Sequence, residues 1–175
     1  MIARALEKRP RREWLVAAHH PWGPAAAYVD AWALLDLCHA PAILDAVAAL
    51  IGPDLILWDS ELLLDGGPED DPALWPVEPL AGALALVRLD GSILACARLG
   101  EPLPACGGPA LLIRYLPAAS RFVRDPGHPA HIAQMEAEPL VDRTRRPLWL
   151  VRGRDRAAND FVTGFALAAP CWAAA

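Results

Sequence analysis

The chain has 175 residues, a formal net charge of −5 and an isoelectric point of about 5.5. This acidic balance argues against a general nucleic-acid-binding protein, which needs a basic surface. Hydrophobic residues make up 55% of the sequence, so we expect one folded domain with a substantial core. The apolar runs are too short to cross a bilayer, and no apolar segment follows the basic N-terminal residues as in a signal peptide. These features predict a cytoplasmic protein without a membrane or nucleic-acid partner.

The first part of the chain predicts an arm and a helix pair. Residues 1–24 are expected to form the N-terminal arm, and residues 25–51 the helix pair. Apolar residues at three- and four-residue spacing predict helices over 25–38 and over 41–51. Pro41 suits the first turn of the second helix, and the Gly-Pro pair after residue 51 should end it.

Residues 54–152 are predicted to form a β core of short strands. An apolar run at 55–64 predicts a buried strand, although polar residues at 59–61 interrupt it. The Asp90-Gly91 pair between two apolar runs is typical of a hairpin turn. Further strands are predicted at 111–116, 122–123 and 146–152, with helical segments at 130–138 and from Ala157 within a C-terminal helix or tail (153–175). Helices followed by short strands and a helical tail favour an α+β fold.

An acidic cluster follows the central strand. Glu69, Asp70 and Asp71 come directly after a Gly-Gly-Pro turn, and they form either a solvated turn or part of a cation site. Glu69 and Asp71 are two residues apart, so on an extended segment their side chains point to the same side. Two carboxylates without imidazole suit a hard cation better than a redox iron. We name Asp71 and Glu69 as candidate metal ligands.

The cysteines and two polar segments have simpler interpretations. Cys38, Cys96, Cys106 and Cys171 include no Cys-x-x-Cys spacing, which predicts reduced thiols, with a Cys96–Cys106 disulfide as the alternative. The segment 19–22, His-His-Pro-Trp, is interpreted as a surface loop with Trp22 packed beneath it. Ser60 has no evident His partner in the sequence, which makes a hydrolase triad unlikely on this pattern.

Six C-terminal arginines form a basic band. They are Arg143, Arg145, Arg146, Arg152, Arg154 and Arg156. They could receive a phosphate, a CoA-like tail or a carboxylate substrate. The favoured interpretation is a charged surface, paired with neighbouring Asp residues.

Several segments, in order, resemble the phytanoyl-CoA dioxygenase-like family. APAILDAVAALIGPDLILWDSELLL resembles the helix, Gly-Pro-Asp turn and strand near the N-terminus of that family, and DDPALWPVEP resembles the segment with its first metal motif, W-H-x-D-x-x-Y-W-P. LLIRYLP resembles the strand after its second metal His, and RRPLWLVRGRD resembles its C-terminal end. The resemblance implies a trimmed double-stranded β-helix, a jelly-roll or cupin-like core with flanking N-terminal helices.

Members of this family are Fe(II)- and 2-oxoglutarate-dependent dioxygenases. Two His and one carboxylate bind the iron, and an Arg binds the far carboxylate of 2-oxoglutarate. Aligned on Trp75-Pro76, the Asp of the motif falls on Asp71, but the first His falls on Glu69. No His lies between Asp71 and Arg114, and the co-substrate Arg would fall near Gly108 or Pro109. Arg114 occupies a different position in the pattern.

Three functions remain open at this stage. The first is a degenerate relative without hydroxylation and without a cofactor, which binds a small molecule or forms a homodimer through an open sheet edge. The second is an active dioxygenase that uses Fe(II) and 2-oxoglutarate with Asp71, Glu69 and either His128 or His131. The third is a non-catalytic interaction protein, which a flat surface at Trp58 and Trp75 would favour.

Overall fold

A computed structural model describes residues 15–68, 70–139 and 142–161 of the chain. Its helices are α1 (Ala31–Cys38), α2 (Pro41–Ile51) and α3 (Pro129–Ala137), with 3-10 helices at Pro24–Ala27 and Pro72–Leu74. Its strands are β1 (Leu55–Leu63), β2 (Val77–Glu78), β3 (Ala83–Arg88), β4 (Ile93–Arg98), β5 (Ala110–Pro117), β6 (Arg121–Phe122) and β7 (Trp149–Arg152). This combination of helices and antiparallel strands confirms the predicted α+β class.

Capping residues set the bounds of the first two helices. The Asp30 side chain accepts a hydrogen bond from the Ala33 amide at 3.1 Å, so α1 begins at Ala31 and the first predicted helix is divided. α2 begins at Pro41 and ends at Ile51, and it is followed by Gly52, whose φ of +96° lies in the left-handed region that favours glycine. The predicted bounds of α2 are confirmed.

No single helix in the described ranges is long and apolar enough to cross a membrane. By length and composition alone, α1 and α2 pass that test as a pair, with a bend of 49° between them.

Five strands form one antiparallel sheet in the order β4-β3-β5-β1-β7, and β2 pairs with β6 in a separate ribbon. β3 and β4 form the hairpin predicted at Asp90-Gly91, where Gly91 has a φ of +90°. The ribbon strands have two residues each, so the predicted jelly-roll core is not confirmed beyond its coarse class. No described strand pairs with the outer edge of β4, and the homodimer through an open edge stays a prediction.

The large sheet has two different faces. Helices α1 and α2 cover one face, where Leu57, Ile113 and Val87 pack against them. On the opposite face, Trp58 and Leu112 pack with residues of the ribbon and its flanking loops. Successive side chains of β5 point alternately to the two faces, as expected for a strand buried in the middle of a sheet.

Two short segments share the other edge of β1. Its first half pairs with β7. Along its second half, the amide of Leu62 donates to the Leu15 carbonyl at 3.0 Å, and the amide of Ala18 donates to the Ser60 carbonyl at 3.2 Å. The end of the N-terminal arm therefore continues the sheet where β7 stops.

The structure overturns one interpretation of this arm. His19 and His20 are buried, whereas Trp22 is 65% exposed. The local pattern fails here because pairing with β1 carries the chain inward at His19, and this pairing joins residues 41 positions apart in the sequence.

The structure also bears on the predictions for the cysteines and for the C-terminal segment. Cys38, Cys96 and Cys106 are free thiols, which confirms the prediction for these three cysteines, and Cys171 lies outside the described residues. Residues 157–161 are not helical, and the rest of the predicted C-terminal helix lies outside the described residues. The arm before Leu15 also lies outside them.

Candidate functional site

A cavity of about 490 Å³ opens on the ribbon side of the large sheet. We call it the Arg114 cavity. Its lining side chains come from β1, β5, α3 and the loops between them, and they are Trp58, Asp59, Glu61, Asp70, Asp71, Leu74, Trp75, Arg114, Gln134, Ala137, Glu138 and Arg143. This volume is in the range of small-molecule sites in proteins.

A β-bulge in β1 aims two consecutive side chains at this cavity. The register with β5 pairs Leu57 with Tyr115 and then Asp59 with Arg114, which leaves Trp58 as the extra residue. In a regular strand Trp58 and Asp59 would point to opposite faces, but the bulge allows both to line the cavity. The polar residues that interrupt the apolar run of β1 therefore include the two carboxylates that line the cavity, Asp59 and Glu61.

Arg114 is the centre of a buried ion network. Its Nε donates to Asp70 Oδ1 at 2.7 Å and its Nη2 donates to Glu61 Oε2 at 3.3 Å. Its Nη1 lies 3.9 Å from Asp59 Oδ2, and its side chain is 8% exposed. Burial lowers the pKa of Arg114, but Asp70, Asp59 and Glu61 raise it more, so the pKa lies above its usual value. The guanidinium is therefore charged and surrounded by three carboxylates.

Asp59 also binds two arginines of the C-terminal band. Its Oδ1 accepts a hydrogen bond from Arg146 Nη1, and its Oδ2 lies 3.6 Å from Arg143 Nε. Arg143 Nη2 also donates to Glu138. Burial raises the pKa of Asp59, but Arg146, Arg143 and Arg114 lower it further, so the carboxyl is ionised with its pKa below the usual range.

These contacts correct the surface interpretation of the basic band in part. Arg143 and Arg146 are largely buried against Asp59, with side chains 10% and 11% exposed. Arg152 and Arg156 form ion pairs with Asp45 and Asp54, which lie far away in the sequence, whereas the predicted partners are the neighbouring Asp142, Asp155 and Asp160.

Two tryptophans form one wall of the cavity. The rings of Trp58 and Trp75 meet edge to face with centroids 4.7 Å apart. Trp75 Nε1 donates to Asp70 Oδ2 at 2.9 Å, which links the wall to the ion network. Gly82 lies behind Trp75, and a Cβ there would come within 2.3 Å of the Trp75 ring. Only glycine leaves room for this ring position.

Some buried polar atoms of the site have no hydrogen-bond partner among the described residues. They are Asp59 Oδ2, Arg114 Nη1 and Trp58 Nε1, and all three belong to side chains that line the cavity. A buried polar atom without a hydrogen bond costs stability. Three such atoms beside one cavity are therefore the feature that most favours a ligand there.

The structure describes only one of the two candidate metal ligands. Asp71 lines the cavity, and its Oδ1 accepts a hydrogen bond from the Ala73 amide at 2.9 Å, as the cap of a 3-10 helix. Glu69 lies outside the described residues, so the pair stays a prediction. Within the described ranges, no three His, Cys, Asp or Glu side chains are grouped so that they could hold a metal ion.

The two candidate histidines have other partners. His128 Nδ1 accepts a hydrogen bond from the Ala130 amide at 3.2 Å, at the start of α3. His131 lies with its Nε2 2.8 Å from the Val123 carbonyl and its Nδ1 3.1 Å from Gln134 Oε1. Neither histidine lines the Arg114 cavity. The structure does not bring them together with Asp71 in a ligand set.

A His partner of Ser60 does exist. His19 Nδ1 lies 2.7 Å from Ser60 Oγ, which also accepts a hydrogen bond from the His19 amide at 3.0 Å. Burial lowers the pKa of His19 to about 3, although Asp59 opposes this shift. Both side chains are enclosed, and neither lines the Arg114 cavity. The pair therefore joins the arm to β1 rather than presenting a nucleophile.

Sequence reasoning missed Arg114 as a site residue, and it considered Arg143 and Arg146 only as members of a band for which it favoured a charged surface. One signal could have found Arg114: an Arg inside the apolar run LLIRYL needs a buried carboxylate, and the other apolar run holds Asp59 and Glu61. No comparable signal distinguishes Arg143 and Arg146 from their exposed neighbours in the band.

Comparisons with known proteins give structural neighbours only. No protein-family model matches the sequence, and no curated protein matches it. A solved structure described as the non-heme monooxygenase ThoJ, apo, shares 17% identity with a TM-score of 0.44, over 91% of this chain and 80% of that chain. CytC3 with Fe(II) and alpha-ketoglutarate shares 14% identity with a TM-score of 0.48, over 90% of this chain and 82% of that chain. At these identities and TM-scores the similarities carry no argument about the chemistry of this chain.

Proposed function

We propose that this chain is a small-molecule-binding protein, a shortened and degenerate relative of the phytanoyl-CoA dioxygenase-like proteins that does not carry out 2-oxoglutarate-dependent hydroxylation. The ligand site is the Arg114 cavity. In this proposal the large sheet and the β2-β6 ribbon are the remainder of a jelly-roll core, and the cavity between them is the remainder of its interior.

The carrying observation is that carboxylates already hold both guanidinium groups that line the cavity, those of Arg114 and Arg143. An oxygenase of the resembled family needs a guanidinium whose fork is free for the far carboxylate of the co-substrate. Here Asp59, Glu61 and Asp70 surround the buried guanidinium of Arg114. A dicarboxylate that approached Arg114 would be repelled by these three carboxylates in a poorly solvated place.

The other donors in the cavity do not fit iron either. The family needs two imidazoles beside one carboxylate, and the described side chains that line the cavity include no His. Using His131 as a ligand would break its contacts with Val123 and Gln134. The atypical dioxygenase is therefore the weaker proposal.

The interaction-protein alternative lacks the observation that would favour it. A flat surface at Trp58 and Trp75 would support that alternative, but both residues are 2% exposed and line a cavity.

Anaerobic calorimetry with Fe(II) and 2-oxoglutarate, combined with a metal assay of the purified protein, tests the proposal. We expect no saturable binding of the pair and no turnover of 2-oxoglutarate when iron is added. Saturable binding of both, abolished in Asp71→Ala and kept in Asp125→Ala, would instead establish the atypical dioxygenase. Asp125 is a suitable control because its carboxylate caps a neighbouring turn through the Gly127 amide and does not line the cavity.

A further inference from the structure

We infer that the Arg114 cavity takes an uncharged ligand with several hydroxyl groups, of the monosaccharide or cyclic-polyol class. This inference rests on the proposed binding function and adds the chemical class of the ligand. It follows from the charge of the cavity floor, from its unpartnered atoms and from its aromatic wall.

The buried charges beside the cavity are held in ion pairs, with an excess of one carboxylate. Three guanidinium groups face four carboxylates, and the contacts are Arg114 with Asp59, Glu61 and Asp70, Arg143 with Asp59 and Glu138, and Arg146 with Asp59. An anionic ligand would be repelled by the excess carboxylate, and a cationic ligand would have to displace a guanidinium group from its carboxylates at a buried position, where a charge without its partner is costly. A neutral ligand meets no such penalty.

The unpartnered atoms need both a donor and an acceptor. Asp59 Oδ2 accepts hydrogen bonds, whereas Arg114 Nη1 and Trp58 Nε1 donate them. A hydroxyl group is donor and acceptor at once, so hydroxyl groups can satisfy all three atoms. A carboxylate has no proton for Asp59, and an ammonium group has no lone pair for Arg114 or Trp58.

The distance between two of these atoms suits a single oxygen. Asp59 Oδ2 and Arg114 Nη1 are 3.9 Å apart. Twice a hydrogen-bond length of about 2.8 Å exceeds this separation, so the distance allows one oxygen to bridge both atoms. The same hydroxyl can therefore donate to the carboxylate and accept from the guanidinium.

The wall of the cavity suits a ring with apolar faces. Trp58 and Trp75 present aromatic surface on one side, and Leu74 and Ala137 also line the cavity. Sugars and cyclic polyols combine C–H faces, which pack on such surface, with hydroxyl groups at the ring edge. A straight-chain alcohol would use the wall less well.

A matched panel of four probes tests the ligand class. The neutral probes are glucose and myo-inositol, and the charged ones are glucuronate and glucosamine, which keep the glucose ring and add one charge of either sign. Saturation-transfer NMR and calorimetry with the full chain should detect the neutral probes. We expect the charged probes to bind about tenfold more weakly, because glucuronate is repelled by the excess carboxylate and the ammonium group of glucosamine must displace a guanidinium group from an ion pair.

Three variants locate the binding. Trp58→Phe keeps an aromatic ring but removes Nε1–H, and it should weaken binding about fivefold to tenfold, as expected when one hydrogen bond is removed. Ala137→Phe places a large ring at the exposed rim and should block entry without touching the ion network. Trp149→Phe is the control, because Trp149 Nε1 is also unpartnered but packs on the helix-covered face. Its binding should equal that of the wild type, and the thermal midpoints of all variants verify folding.

Each outcome decides the inference. Neutral probes that bind, with weaker binding in the two cavity variants only, support it. Equal or tighter binding of glucuronate or glucosamine overturns the ligand class while the binding function stands. Binding of no probe also overturns the ligand class. The proposed function fails separately, if iron and 2-oxoglutarate bind.

Discussion

The two faces of the large sheet are built by different rules. On the helix-covered face, apolar side chains of β1, β3 and β5 pack against α1 and α2, and one polar pair, Ser60 with His19, interrupts them. On the cavity face, β1 and β5 contribute Asp59, Glu61 and Arg114 in the middle of the sheet, among Trp58 and Leu112. The first face depends mainly on hydrophobicity and shape, whereas the second depends on buried ion pairs.

This difference sets what a substitution does. Truncating an apolar side chain on the helix face removes its burial energy and leaves a void, but it creates no new charge. Removing a guanidinium on the cavity face leaves its partners as uncompensated buried carboxylates, which costs more than the pair contributes. Substitutions on the two faces should therefore differ in the size of their effect on stability and in its pH dependence.

Arg114→Met should give the greatest decrease in stability. The Met side chain keeps part of the apolar volume, but Asp59, Glu61 and Asp70 no longer share a cation. We expect the free energy of unfolding in urea to fall by about 3 to 5 kcal/mol at neutral pH. The decrease should be smaller at pH 5, because a carboxylate without its cation takes up a proton more readily. Arg121→Met, on the exposed side of β6, is the control. A decrease below about 1 kcal/mol for Arg114→Met would show that the network is not structural.

Leu57→Ala tests the helix-covered face one residue before the bulge. Leu57 is fully buried among the side chains that α1 and α2 cover, and its truncation should cost about 2 to 5 kcal/mol in the same urea measurement. The substitution leaves no buried charge without its partner, so this cost should be nearly the same at pH 5 and pH 7. Leu80→Ala, at a position 55% exposed, should change stability little. A marked pH dependence of the cost of Leu57→Ala would contradict the distinction between the faces.

The two faces also differ in how far the sequence predicts them. The helix face follows from periodicity: the spacing of Ile43, Leu44 and Val47 predicts α2 and its buried side, and the run before the bulge predicts β1. The Asp90-Gly91 turn, set by local backbone chemistry, likewise lies at its predicted position. Local sequence patterns predict these elements because short-range interactions determine their positions.

The cavity face could be predicted only in part. Trp58, Trp75 and Asp71 line one cavity, and the sequence singles out all three, but the bulge that turns Asp59 toward Arg114 is a property of the pairing of β1 and β5. Arg146 reaches Asp59 from 87 positions away, and nothing in its own sequence neighbourhood separates it from Arg145. Long-range charge compensation leaves no periodic signal in a single sequence.

His19 should make the stability of the protein depend on pH on the helix face. Burial lowers its pKa to about 3 in the folded protein, against an ordinary value of 6.5. The unfolded chain therefore binds more protons between these values, so stability falls as the pH drops below 6.5, by up to about 1.4 kcal/mol per pH unit. Burial lowers the pKa of His20 as well, which adds an effect of the same sign.

The variant His19→Asn isolates this contribution. Asn keeps a polar group near the position of Nδ1, which contacts Ser60 Oγ, but it does not titrate. Urea unfolding of the wild type and the variant at pH 7 and pH 5 should give a smaller pH dependence for the variant. An unchanged slope would mean that His19 is accessible to protons in the folded protein.

Tyr115→Phe should give the smallest effect, and it sharpens the comparison because Tyr115 follows Arg114 directly and points to the other face. Its hydroxyl donates to the Cys38 carbonyl at 2.7 Å at the end of α1, and burial raises its pKa, so it stays neutral. Phe keeps the ring that packs in the core and removes one neutral hydrogen bond, which should cost about 1 kcal/mol. Two adjacent residues of β5 would then differ severalfold in their effect on the free energy of unfolding, because one compensates buried charge and the other makes a single neutral hydrogen bond. A cost of Tyr115→Phe as large as that of Arg114→Met would contradict this account of the two faces.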